Sequence, residues 1–131
     1  MWRTDHHTAD VRVHVAAGSL EELFADAVRG LVEVMHPLGS GERVSTEIAV
    51  EASDATALLV DFLNEVLTRA HIERVAFDET DFASLSEAAL RATVSGARCD
   101  GFEEDVKSVT YHEAQVTRVG QDWMVTLVLD I

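Results

Sequence analysis

The sequence is short of positive charge, of cysteine and of long apolar runs, and each shortage closes off a class of protein. A single cysteine, Cys99, cannot form an internal disulfide, and no cysteine pair exists to build a thiolate zinc site. A reducing compartment is therefore expected. No stretch approaches the ~20 apolar residues that a bilayer-spanning helix needs, and the opening Met-Trp-Arg-Thr-Asp-His-His has no apolar signal core. The reading is a soluble cytoplasmic protein with no membrane association. Basic residues number 10 against 24 acidic ones, a net charge of −14, and the basic set is nine arginines and one lysine, Lys107. Nucleic-acid binding draws much of its affinity from Lys and Arg neutralising phosphates, so direct contact with RNA or DNA is disfavoured. Cations or a basic protein partner match such a field better.

What remains is a chain of 131 residues, 47% of them hydrophobic, enough material for one core in one domain spanning residues 1–131. In DVRVHVAA, Val11, Val13 and Val15 alternate with Asp10, Arg12 and His14, the period of a half-buried strand from Asp10 to Ala17. Ser19 and Glu22 form a capping box ahead of Leu20, Leu23, Phe24, Ala27, Val28, Leu31 and Met35 at helical spacing. That helix should end near His36-Pro37, because proline disfavours helical backbone in the residue before it. A second strand follows at Val44–Ala52. Ser53 or Asp54 then caps a second helix with Leu58, Leu59, Phe62, Leu63, Val66, Leu67 and Ala70 as its stripe. Shorter strands are expected at Arg74–Thr80 and Ala88–Ala97, with a loop at Gly96–Gly101. Val106–Val119 and Trp123–Ile131 read as strands joined through Gly120-Gln121-Asp122, the last one central because both its faces are largely apolar. No internal repeat or linker interrupts this order, which predicts an α+β domain with a mixed β-sheet and two long amphipathic helices.

Three places carry residues that propensity does not explain. His6, His7 and Asp10 lead into the first strand, where such ligands can converge on a cation or simply make turn hydrogen bonds in water. Asp130 and the α-carboxylate of Ile131 are adjacent oxygen donors suited to Ca²⁺ or Mg²⁺, or else a solvated strand end. Lys107 presents a compact charge that arginine cannot replace, or is an ordinary surface lysine. His7, Asp10 and His112 as an acid–base group, or Ser108 as a nucleophile, have no supporting motif such as G-x-S-x-G or H-E-x-x-H. The other histidines, His14, His36, His71 and His112, show no metal spacing, and Asp78, Asp81 and Glu103–Asp105 match no EF-hand.

Taken in order, HHTADVRV, SLEELFADAV, LLVDFLNEVL, VKSVTYHEAQV and the terminal VTLVLDI resemble the archease family from about Thr4 to Ile131. The resemblance implies a small non-catalytic protein cofactor that stimulates the GTP-dependent RNA ligase of tRNA splicing, promoting its guanylylation and repeated turnover. It also implies a metal site, calcium being the associated ion with Mg or Mn as alternatives, at Asp10, Asp130 and the terminal Ile131, and a functionally required lysine at Lys107. Many members carry Asp directly before the histidine of the HTAD run, where this chain has His6, with Asp5 one position earlier. Two other classes stay open beside it: a metal-dependent phosphate-ester hydrolase using the same carboxylates, and a metal-free chaperone or interaction module.

Overall fold

The computed structural model describes residues 1–6 and 10–131. The chain runs β1 (Trp2–His6), β2 (Asp10–Ala17), α1 (Leu20–Met35), β3 (Arg43–Glu51), α2 (Ala55–Glu73), β4 (Val75–Leu85), β5 (Ala89–Arg98), β6 (Ser108–Thr110), β7 (Thr117–Val119) and β8 (Asp122–Asp130). The strands form two sheets. One has the order β1-β2-β8-β6 with β7 also on β8, and the other has the order β3-β5-β4. Every pairing in them is antiparallel, so the α+β class holds while the expected single mixed sheet is corrected to two antiparallel ones. α1 links β2 of the first sheet to β3 of the second, whereas α2 joins β3 to β4, the two edges of the three-stranded sheet, on either side of β5.

Local chemistry sets the helix ends. The Ser19 side chain accepts from the Glu22 N–H at 3.1 Å, and Asp54, the second of the two candidate caps, accepts from the Ala57 N–H at 2.8 Å. α1 stops at His36, whose left-handed φ of 53° ends the helix just before Pro37. Each helix packs against strands of both sheets, α1 on β2 and β4, α2 on β3 and β6. Contact on two sides explains why both bury more than one stripe: Val32 and Val34 on α1 and Val60 on α2 are buried beside the predicted residues. Phe24 and Phe62 stack at 6.0 Å between ring centroids, and Phe82 of β4 closes on them at 6.3 and 6.2 Å. Phe24 and Phe62 are fully buried, Phe82 partly, and each fully buried ring contributes roughly 1.5–3 kcal/mol.

Several boundaries differ from the sequence reading. β5 runs on through Gly96 to Arg98, where the sequence predicts a strand ending at Ala97 and a loop from Gly96. A Cβ at residue 96 would overlap the Ala76 carbonyl oxygen and lie 2.7 Å from the Phe77 Cα, so glycine lets β4 and β5 close up there. β4 extends past Thr80 to Leu85 across two register shifts, at Phe77/Glu79 and Phe82/Ser84. The expected strand Val106–Val119 is two short ones on the same edge of β8. β6 ends at Thr110 opposite Val128, and β7 starts at Thr117 opposite Met124, leaving more chain between them than β8 offers partners for. Residues 111–116 therefore leave the sheet, turning at Glu113 with φ 60°. The hairpin into β8 forms as expected with Gly120 at φ 65°, and β8 is central, with β2 on one side and β6 and β7 on the other.

Candidate functional site at the acidic end of the five-stranded sheet

β2 faces the helices with Val11, Val13 and Val15 and faces outward with Asp10, Arg12 and His14, as period-two alternation requires. Asp10 stands opposite Asp130 in the β2–β8 register, and Ser108 stands opposite Asp130 in the β6–β8 register. Directly opposed residues share a face with Cβ atoms about 4.5–5.5 Å apart. One row across three strands therefore carries Asp10, Asp130 and Ser108, a proximity that no sequence spacing announces across 120 residues. Lys107 precedes the row on β6, its N–H donating to the Asp130 carbonyl at 2.7 Å. Ile131 follows Asp130 directly and is half-buried, whereas Asp130 and Lys107 are exposed. Register thus gathers Asp10, Asp130, Ile131 and Lys107 at one sheet end. Of the HTAD run, His7, Thr8 and Ala9 lie outside the described residues; His6 is exposed at the end of β1.

Arginine holds one side of the row. Arg12 donates to Asp10 at 3.1 Å and reaches Glu113 of the 111–116 excursion at 2.9 Å. Asp130 has no ion-pair partner among the described residues. Like charges directly opposed on a sheet repel, so two opposed carboxylates of which only Asp10 has an arginine partner suit a site that takes up positive charge. Among the described residues no three His, Cys, Asp or Glu side chains converge on one point, so Asp10 and Asp130 by themselves would give an ion only part of an oxygen shell. Two or three hard oxygen donors fit Ca²⁺ or Mg²⁺ better than a thiophilic metal.

Two features that sequence reasoning missed support this end. Asn64, in the LNE run of α2, receives the Val109 N–H at 2.9 Å on Oδ1 and donates through Nδ2 to the Val109 carbonyl at 2.8 Å and the Val60 carbonyl at 3.1 Å. Its amide thus pairs with β6 as a neighbouring strand would, and it fixes the segment that carries Lys107. A polar residue beside an apolar stripe was the available signal; its partner was not. The second is a chain on the outward face: His14 Nε2 lies 2.8 Å from Asp5 Oδ2 and Nδ1 lies 3.0 Å from Thr126 Oγ1. With a carboxylate as acceptor, Nε2 carries the proton of that bond. This bond above all, with Arg3 adding to it, holds the Asp5 carboxyl below its ordinary 3.8. Asp5 pairs with Arg12 in register, one row from Asp10, so it serves His14 and not the acidic row.

Among the described residues, Ser108 has no base bonded to it, and His112 is exposed without a hydrogen-bond partner; His7, the third candidate, lies outside them. A concavity of about 570 Å³ lies further along the outward face, lined by Arg3, His14, Met124 and Thr126, and does not include Asp10, Asp130 or Lys107. No described helix is long and apolar enough to cross a membrane.

Comparison with known proteins agrees over the whole length. The model of the Archease protein family (MTH1598/TM1083) matches residues 2–131. The protein archease of Pyrococcus furiosus is 33% identical over 141 residues, covering 99% of this chain and 98% of the relative. The solution structure of Methanobacterium thermoautotrophicum protein 1598 superposes with a TM-score of 0.75 at 24% identity, covering 99% of this chain and 98% of that one. The crystal structure of an archease described as a possible chaperone, from Thermotoga maritima, superposes with a TM-score of 0.71 at 20% identity, covering 100% and 98%. At those identities the solved structures speak for the fold.

Proposed function

The chain belongs to the archease family, and from that premise we propose that it is a non-catalytic activator of the GTP-dependent RNA ligase of tRNA splicing. The observation that carries the reading is the single row in which Asp10 and Asp130 face each other, with Lys107 bonded to the same strand end. Asp10, Asp130 and the Ile131 carboxylate would hold a divalent cation, calcium by preference. When bound, the ion supplies positive charge that offsets the two opposed carboxylates and orders the strand end. Arg12 keeps Asp10 oriented through its 3.1 Å bond, and Asn64 keeps β6 registered so that the Lys107 backbone stays bonded to the Asp130 end of β8. A compact ammonium placed there can contact a phosphate or carboxylate in a partner's cleft. The charge of −14 speeds encounter with a protein whose cleft is basic because it binds RNA and nucleotide.

The test is multiple-turnover ligation of RNA by the cognate ligase at limiting concentration, with and without this protein. Wild-type chain should stimulate turnover and Asp130→Ala should not. A competent ligase that is unaffected by the wild-type chain sinks the reading, and hydrolysis of phosphate esters by the pure protein with Mg²⁺ or Mn²⁺ would replace it.

A further inference from the structure

The second sheet leaves one long side open. β3 keeps unbroken register with β5 from Arg43↔Ala97 to Glu51↔Ala89, whereas β4 at the opposite edge is interrupted twice. Two bonds flanking the β3–β5 ladder, Arg98 N–H to the Glu42 carbonyl at 2.8 Å and Ala52 N–H to the Ala88 carbonyl at 2.9 Å, put the even-numbered residues of β3 in the hydrogen-bonded pairs. The N–H and C=O groups of Arg43, Ser45, Glu47, Ala49 and Glu51 therefore point away from β5. Among the described residues no other strand pairs with that side and no side chain bonds to it. An open ladder of this kind is a template for another strand.

Charge decides which strand. Arg43 is tied to Asp78 at 2.8 Å, while Glu47 and Glu51 are exposed and make no ion pair among the described residues. Beneath the same edge, Glu73 of α2 accepts from Thr46 at 3.2 Å, and Glu65 and Glu73 flank Arg69. A second copy of the chain is a poor occupant. Antiparallel self-pairing centred on Glu47 sets that residue against itself, and each copy carries −14. The same carboxylates that repel a copy attract Lys or Arg spaced four residues apart.

We propose that the free edge of β3 is a docking site for an extended basic segment of a partner protein. The segment adds as an outer strand, its backbone bonding the open ladder, with Lys or Arg opposite Glu47 and Glu51 and β-branched side chains opposite Val44, Ile48 and Val50. The site lies on the other sheet from the acidic row and does not depend on it.

The probe is a capped nine-residue peptide of alternating lysine and valine, titrated into the full-length ¹⁵N-labelled chain, with a glutamate-for-lysine peptide as control. The amides of Arg43, Ser45, Glu47, Ala49 and Glu51 should shift and gain exchange protection. Glu47→Lys/Glu51→Lys should weaken binding about tenfold, two opposed pairs turning from attractive to repulsive. Ala49→Pro, at a position whose N–H makes no ladder bond, should abolish binding while the β5 amides keep their native shifts. Shifts confined to other acidic surfaces such as Asp10 and Asp130, equal binding of the glutamate peptide, or unchanged affinity in both variants would overturn the proposal. Sedimentation showing that the chain dimerises through β3 would overturn the charge argument as well.

Discussion

Asp130→Asn separates the two faces of the acidic row. Asp10 and Asp130 are opposed in register, and Asp130 is exposed with no ion-pair partner among the described residues, whereas Asp10 has Arg12. Two charges about 5 Å apart repel by about 0.8 kcal/mol in a water-like dielectric, and physiological salt trims this to about 0.5 kcal/mol. Without divalent ions, removing one charge should therefore stabilise the fold and raise the melting temperature by about 2 °C in a domain of this size. With calcium present at 100 times its dissociation constant, binding adds about 2.7 kcal/mol to the wild-type chain. The variant loses most of that gain, so the order of stabilities reverses. Thermal unfolding of both proteins in EDTA and in excess calcium measures the crossover. A variant that is less stable than wild type in EDTA would refute the repulsion argument, and a wild-type chain indifferent to calcium would refute the metal reading.

Asn64→Leu should cost about 2–4 kcal/mol, because it strands both the N–H and the C=O of buried Val109; denaturant unfolding reads the loss. Gly96→Ala should cost about 3 kcal/mol or more, since the new methyl collides with β4 backbone that cannot yield as a side chain would, and its midpoint in urea should fall accordingly. Tyr111 is the only tyrosine and donates to Asp61, which raises its phenol above the ordinary 10.0. Absorbance titration should therefore place it above a model tyrosine, with Asp61→Asn bringing it down; the stability from this contact is intact below the ordinary value and lost as pH climbs through the raised one. The Asp5–His14 tie behaves in the opposite sense, present above 3.8 and lost as acid lowers pH through the depressed Asp5 value, so His14 ring shifts in NMR should change in that acidic window.

Elements with a strong local signal were legible from sequence. The Val11–Val13–Val15 alternation, the Ser19 and Asp54 caps and the His36-Pro37 stop all rest on neighbours within a few residues, and each appears where expected. β4 beyond Thr80 was not legible because the segment after it is acidic and holds serines, the composition of a solvated connection, when Asp81, Phe82, Ser84 and Leu85 pair with β5 in a real ladder. Val106–Val119 alternates well enough to look continuous, and only the pairing partners on β8 show that residues 111–116 must leave the sheet. Sheet composition was misjudged for the same reason: pairing direction belongs to strands distant in sequence. The candidate site follows this pattern. Each of Asp10, Lys107 and Asp130 could be singled out by residue type, but their convergence depends on β2, β6 and β8 being neighbours, and the contribution of Asn64 depends on α2 lying against β6.

Formation of the covalent guanylyl-ligase, followed with labelled GTP at limiting ligase, tests the central claim most directly. The account predicts that wild-type chain raises the rate and yield, that Asp130→Ala and Lys107→Ala do not, and that both variants remain folded by circular dichroism. Full stimulation by either folded variant would contradict it.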